Sequence, residues 1–181
     1  MAAEVDTIEV PAFAEDLIPL PPSRVRKLRK HLLESLRALR TMKDPDGSAS
    51  PIRPEPEGFT GKVARTACAL CAGWCCKGGE EHAYLDERTL ARVRRDQPDL
   101  DARGVIRLYI NSVALMGYSK SCIFHGPSGC TLDRRLRSDV CNSYFCGELA
   151  RFVNSDPEPG PVVVIAAKGR TKRRSRRVKP I

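Results

Sequence analysis

The sequence is short of what usually holds a domain of its length together. Aromatic residues are only 6% of the 181, with a single Trp, so a core dominated by large rings is excluded and the apolar core must be modest. No run approaches the roughly 18 apolar residues of a membrane helix. The first residues, Met1 to Asp16, are acidic and interrupted by Pro11, so they lack the basic start and apolar middle of a signal peptide. Histidine is scarce, at three residues, which leaves few general acid–base groups. These absences lead us to expect a cytoplasmic protein whose thiols stay reduced.

What is present is cysteine. Cys68, Cys71, Cys75 and Cys76 fall within nine residues, and Cys122, Cys130, Cys141 and Cys146 follow downstream. In a reducing compartment such a set favours metal binding over a disulfide framework. A Cys-x-x-Cys redox site alone would leave six cysteines unexplained. Cys-x-x-Cys spacing lets one tight turn aim two thiolates at one metal, with backbone N–H groups donating to sulfur, and Gly73 frees the chain to wrap. The long gap to the second set requires the fold to bring remote segments together, and such cross-linking contributes folding energy directly. Neighbouring side chains point to opposite faces of a strand, or about 100° apart on a helix. Cys75 and Cys76 are therefore not equivalent ligands of one ion: one ligates while the other serves a second metal or is buried. Two zinc ions in two Cys₄ sites, or one four-iron cluster that leaves four thiols over, both fit. His82 or His125 could replace a cysteine, and His125 could instead bond a thiolate or cap its turn. His31 is expected at the surface of a basic helix. Lys77, Arg134, Arg135 and Arg137 are close in sequence to the thiols and are expected to favour thiolates.

The positive charge, +9 overall, is unevenly placed. Residues 1–22 hold five acids and no Lys or Arg, 23–43 hold eight cations against Glu34, and 168–181 hold eight cations and no acid, so the cysteine-bearing centre is nearly neutral. We read 1–22 as an extended or disordered acidic segment. Ser23 is a good N-cap, and Val25, Leu28, Leu32, Leu36 and Leu39 form one stripe of an amphipathic basic helix over 23–43. Pro, Gly and Ser make 44–58 a linker. Residues 59–167 are the expected cysteine-cluster domain. In it, Asp86 and Asp101 cap two helices, Cys122 to Leu132 forms two short strands around a Gly-Pro-Ser-Gly turn, 132–140 is a turn or short helix, 142–153 is helical, and 162–167 is β-type. Residues 168–181 read as a disordered basic tail. The expected fold class is α+β: a small metal-stapled domain with short strands and several helices, flanked by the amphipathic helix and the tail.

At the cysteines the chain resembles the YkgJ-type cysteine-cluster family, a zinc- or iron-chelating domain. The likeness runs through Cys68, Cys71, Cys75 and Cys76, then Cys122-Ile-Phe, Gly129-Cys130-Thr-Leu132 and Arg137-Ser-Asp-Val-Cys141. It covers roughly residues 60–150 and implies metal binding by these cysteines. Three residues instead of the family's two separate Cys71 from Cys75, Ser138 occupies the family's proline position, and Cys146 lies outside the motif. Related clusters accompany some protein lysine methylases, but no Gly-rich S-adenosylmethionine loop is present. The function expected is a metal-binding cysteine-cluster protein, zinc or iron–sulfur, with a redox or protein-modification role. The alternative is a nucleic-acid-binding module with structural zinc, in which 23–43 and 168–181 meet nucleic acid or an acidic protein.

Overall fold

A computed structural model describes residues 5–43, 52, 54–168 and 172–180. Helix and sheet are mixed, as the α+β expectation required. The division is different from the one expected. Instead of one cysteine domain over 59–167, the chain forms two interleaved units. One comprises Met1–Ala14, Pro54–Cys75 and Tyr144–Ile181, and the other Glu15–Arg53 and Cys76–Ser143. Most of the expected linker, 44–51 and residue 53, lies outside the described residues.

The first unit is a three-stranded sheet backed by helices. β1 (Asp6–Pro11) runs parallel to β6 (Val162–Lys168), and β7 (Lys172–Val178) pairs antiparallel with β6, giving the order β1-β6-β7. Alternation is strict: Val162, Val164 and Ala166 are buried while the residues between them are half-buried. These three share a face with their partners Ile8 and Val10. Packed in the same core are Val63, Ala64, Ala67 and Cys71 of α2 (Gly58–Cys71) and Leu149 of α6 (Gly147–Asn154). The basic tail is therefore not disordered over 172–178. Strand pairing uses main-chain groups, so a strand of Arg and Lys is tolerated at an edge, where charge also discourages further pairing. Likewise 1–22 contributes real strands, because main-chain bonding to β6 stabilises Asp6–Pro11 despite its acids.

The second unit is built on helices. α1 (Pro22–Thr41) buries Leu28, Leu32, Ser35, Leu36 and Leu39, the face the spacing predicted, so it belongs to this core and is no appendage. Its N-cap falls two residues earlier than expected, at Pro21 instead of Ser23, and Pro22 takes the first turn, where its fixed φ fits and its missing N–H is no loss. α3 (Glu87–Asp96) is capped by Asp86, which accepts from the Thr89 N–H at 2.9 Å. α4 (Ala102–Asn111) is capped by Asp101, which accepts from the Gly104 N–H at 2.7 Å. Both caps agree with the sequence. Two small antiparallel pairs complete the unit, β2 (Leu17–Pro19) with β3 (Met116–Tyr118) and β4 (His125–Gly126) with β5 (Gly129–Cys130).

A buried polar clamp fixes the segment after β5, which forms a 3₁₀ turn at Arg134–Leu136 and then α5 (Asp139–Ser143). Arg92 is 1% exposed, and its guanidinium donates to the carbonyls of Arg135 and Arg137 and lies 3.4 Å from Asp139. The Tyr109 hydroxyl donates to the Leu136 carbonyl at 2.8 Å, and the Asn142 amide to that of Arg134 at 3.0 Å. The four successive carbonyls of residues 134–137 thus each accept a side-chain hydrogen bond.

Candidate metal centres

The boundary between the units falls between the adjacent cysteines Cys75 and Cys76. All eight cysteines are free thiols. Cys68, Cys71, Cys75 and Cys146 belong to the first unit, and Cys76, Cys122, Cys130 and Cys141 to the second.

In the first unit, Cys68 and Cys71 occupy the last turn of α2, three residues apart and so on one side of the helix. The helix stops because Ala72 takes a left-handed conformation (φ 55°) while its N–H bonds the Cys68 carbonyl. Gly73 follows at φ 90°, where a side chain would be strained. The chain turns there into a 3₁₀ stretch, Trp74–Gly79, carrying Cys75 and Cys76. The Trp74 N–H donates to the Cys71 sulfur at 3.4 Å, the kind of N–H to sulfur bond the spacing predicted. Cys146 comes from far along the chain, at the N-cap of α6. The four thiols feel one another. Cys68 presents surface to solvent, yet burial of its sulfur, then the charges of Cys75, Cys71 and Cys146, push it up to about 12. Burial raises Cys146 too, followed by the charges of Cys71 and, more weakly, Cys75. Cys71 is raised by burial, partly offset by the Trp74 N–H bond.

In the second unit, the Cys122 N–H donates to the Cys76 carbonyl at 2.8 Å. Cys122 is buried in the helical core, with Cys76 packed against the same cluster. Burial, opposed by a bond from the Phe124 N–H, pushes Cys122 up to about 12, and the charges of Cys130 and Cys141 push the same way. Cys130 stands on β5 opposite His125. Cys141 lies on α5, its thiol 3.9 Å from the Ala83 carbonyl. Burial, reinforced by like charge, holds Cys122 as a thiol, so a metal taking its sulfur must displace a proton. Among the described residues, no three Cys, His, Asp or Glu side chains already form a cage of metal-holding dimensions. The sulfurs share neighbourhoods, not drawn-in coordination spheres.

No family model matches this chain. No curated protein and no solved structure matches it either.

The histidines have polar partners of their own. His125 is buried, with Nδ1 2.7 Å from the Ser121 hydroxyl and its ring 4.6 Å from that of Tyr118. His82 accepts from the Tyr84 N–H at 2.9 Å. His31 is half-buried, not on the surface, with Nε2 2.6 Å from the Leu85 carbonyl. The cations expected to favour thiolates have other partners as well. Lys77 pairs with Glu15 at 2.8 Å, Arg135 with Asp133 at 3.1 Å, and Arg134 and Arg137 donate to the Asn142 and Leu132 carbonyls. Arg24, distant in sequence and not anticipated, is the cation that lowers Cys122. Its guanidinium is held by Glu81 at 2.9 Å and by the Ser121 carbonyl. Helix α2 was also missed, although Val63, Ala64, Ala67 and Cys71 carry helical spacing.

Proposed function

We propose that the protein is a metal-binding cysteine-cluster protein with two four-thiol centres, one in each unit. Cys68, Cys71, Cys75 and Cys146 would hold the first metal, and Cys76, Cys122, Cys130 and Cys141 the second. The observation that supports this most is the split of adjacent cysteines: Cys75 couples electrically to Cys68 and Cys146 of the first unit, while the Cys76 carbonyl accepts from the Cys122 N–H within the second. Eight thiols with no disulfide suit either zinc or iron–sulfur clusters, since each takes four thiolates. Cys146, outside the family motif, is needed to bring the first set to four. A bound metal supplies a cross-link between segments and, as an iron–sulfur cluster, a redox centre. The chain supplies the turn at Ala72–Gly73 and the N–H bond that orients Cys71. In the second unit, the clamp on residues 134–137 holds the approach to Cys141. The likeness to the YkgJ-type family implies metal binding and agrees with this reading.

Anaerobic purification followed by native mass spectrometry and elemental analysis tests it. Two metal centres per chain are expected. Cys71→Ser and Cys130→Ser should each lose one and keep the other. A brown protein identifies iron–sulfur, a colourless one with stoichiometric zinc the structural version. Loss of both metals from either single variant would mean one shared centre, and full metal retention by a variant would remove that cysteine from the ligand set.

A further inference from the structure

Helix α1 has a second face that metal binding does not use. Arg26, Arg29, Lys30, Leu33, Arg37 and Arg40 recur at three- and four-residue spacing, which on a helix gathers them within an arc of roughly 100°. The five cations are exposed and Leu33 half-buried between them, and most of the stripe lines a shallow depression. Its only acid is Glu34, a loose 3.8 Å from Lys30. Among the described residues, no hydrogen bond or ion pair engages Arg26, Arg29, Arg37 or Arg40. The opposite face, Leu28, Leu32, Leu36 and Leu39, is at most 4% exposed in the core.

We propose that this stripe binds the phosphodiester backbone of nucleic acid without reading sequence. Four arginines left unpaired in a row repel one another, and a linear polyanion relieves that repulsion. The stripe runs about 21 Å along the helix, which matches about six phosphates of one duplex strand. A membrane surface fits less well, because an interfacial helix must bury its apolar face in lipid and here that face is committed to the core. An acidic protein would offer carboxylates without the regular linear spacing of phosphates. The stripe carries no aromatic side chain, so base stacking contributes nothing and affinity must come from charge.

The test uses the full chain and fluorescence anisotropy with a duplex DNA and a duplex RNA of one sequence across a salt series. Substituting Arg26, Arg29, Arg37 and Arg40 together by Gln should weaken binding at least about tenfold at low salt. It should also make the slope of log K against log salt shallower by about 3.6 on duplex DNA, since each phosphate contact contributes about 0.9. Which duplex the wild type prefers identifies the source of the backbone. The variant loses no internal bond, so its circular dichroism and metal content should equal those of the wild type. A charge-matched control replaces Arg88, Arg94, Arg103 and Arg107, all exposed on α3 and α4, by Gln and should retain most of the affinity. Equal losses in the two variants would reduce the effect to net charge and overturn the proposal. So would wild-type binding to phosphatidylserine vesicles or polyglutamate but to neither duplex. Because metal content is read separately, failure here leaves the metal assignment standing, and the reverse.

Discussion

The two cysteine groups rest on different supports. In the first unit three of the four thiols lie on one stretch, Cys68 to Cys75, where a helix end and a left-handed turn set their spacing locally. Only Cys146 arrives from a distance, and it does so through α6 packing on the sheet. In the second unit Cys76, Cys122, Cys130 and Cys141 come from four separate segments. Their positions are set by tertiary polar bonds: the Cys76–Cys122 main-chain bond and the clamp of Arg92, Tyr109 and Asn142. A locally set group should survive damage to its surroundings, whereas a group set by a tertiary network should not.

The largest effect that separates the two is metal removal. Structural zinc in small sites can contribute on the order of 10 kcal/mol to folding. Chelation under reducing conditions should therefore lower the melting temperature steeply. Hydrogen exchange should show protection lost first around Cys122–Asn142, where the thiols come from separate segments, and later at the end of α2. Loss in the reverse order would break the contrast. Next in size is Arg92→Ala. It removes the donor to the carbonyls of Arg135 and Arg137 and should destabilise the second unit by about 2–3 kcal/mol, with exchange from β6 unchanged. Denaturant melts read together with exchange check both halves of that statement. Equal losses from β6 and α4 would show that the clamp supports the whole chain.

How much of this was legible follows the same division. Local signals were readable: the apolar stripe of α1, the carboxylate caps of α3 and α4, the hairpin at His125–Cys130 and the N–H bond to Cys71 each depend on residues within a few positions. Non-local organisation was not. The basic run at 172–178 looked structureless because its charge hides a strand that depends on pairing with β6. The first residues hid β1 for the same reason. Proximity in sequence also missed one cation, Arg24, which reached the Cys122 neighbourhood through packing, while Lys77 and Arg135 pair with Glu15 and Asp133. The separation of Cys75 from Cys76 could be anticipated from backbone geometry alone, but the grouping of Cys146 with the first set needed the fold.

A smaller effect sharpens the contrast on the second side. A Cβ added at Gly79 would lie 2.9 Å from the Cys122 Cβ and 3.3 Å from its sulfur. Gly79 is buried, so neither group can swing into solvent. Gly79→Ala should cost about 1–3 kcal/mol by overpacking and displace Cys122. Metal content should fall in the second centre only, read by elemental analysis against Cys130→Ser. Unchanged metal content with a lowered melting temperature would detach Cys122 from the centre.

The smallest effect concerns how each unit starts its helices. Asp86 and Asp101 cap α3 and α4 in the second unit, whereas the N-cap residues of α2 and α6 in the first, Glu57 and Cys146, make no capping side-chain bond. Glu57 has the extended backbone (φ −100°, ψ 179°) that an N-cap residue requires, but its side chain is one methylene longer than that of the preferred Asp cap and longer still than that of Ser. Glu57→Ser keeps that backbone and shortens the side chain to reach the N–H groups of the first turn. It should stabilise the first unit by about 0.5–1 kcal/mol and slow exchange along α2, leaving α3 and α4 as they are. Because α2 carries Cys68 and Cys71 at its other end, firmer helix formation should also slow loss of the first metal to a chelator. The rate for the second metal should not change. If both rates change together, the two centres are not held independently, and the contrast between a locally set and a tertiary set fails at its root.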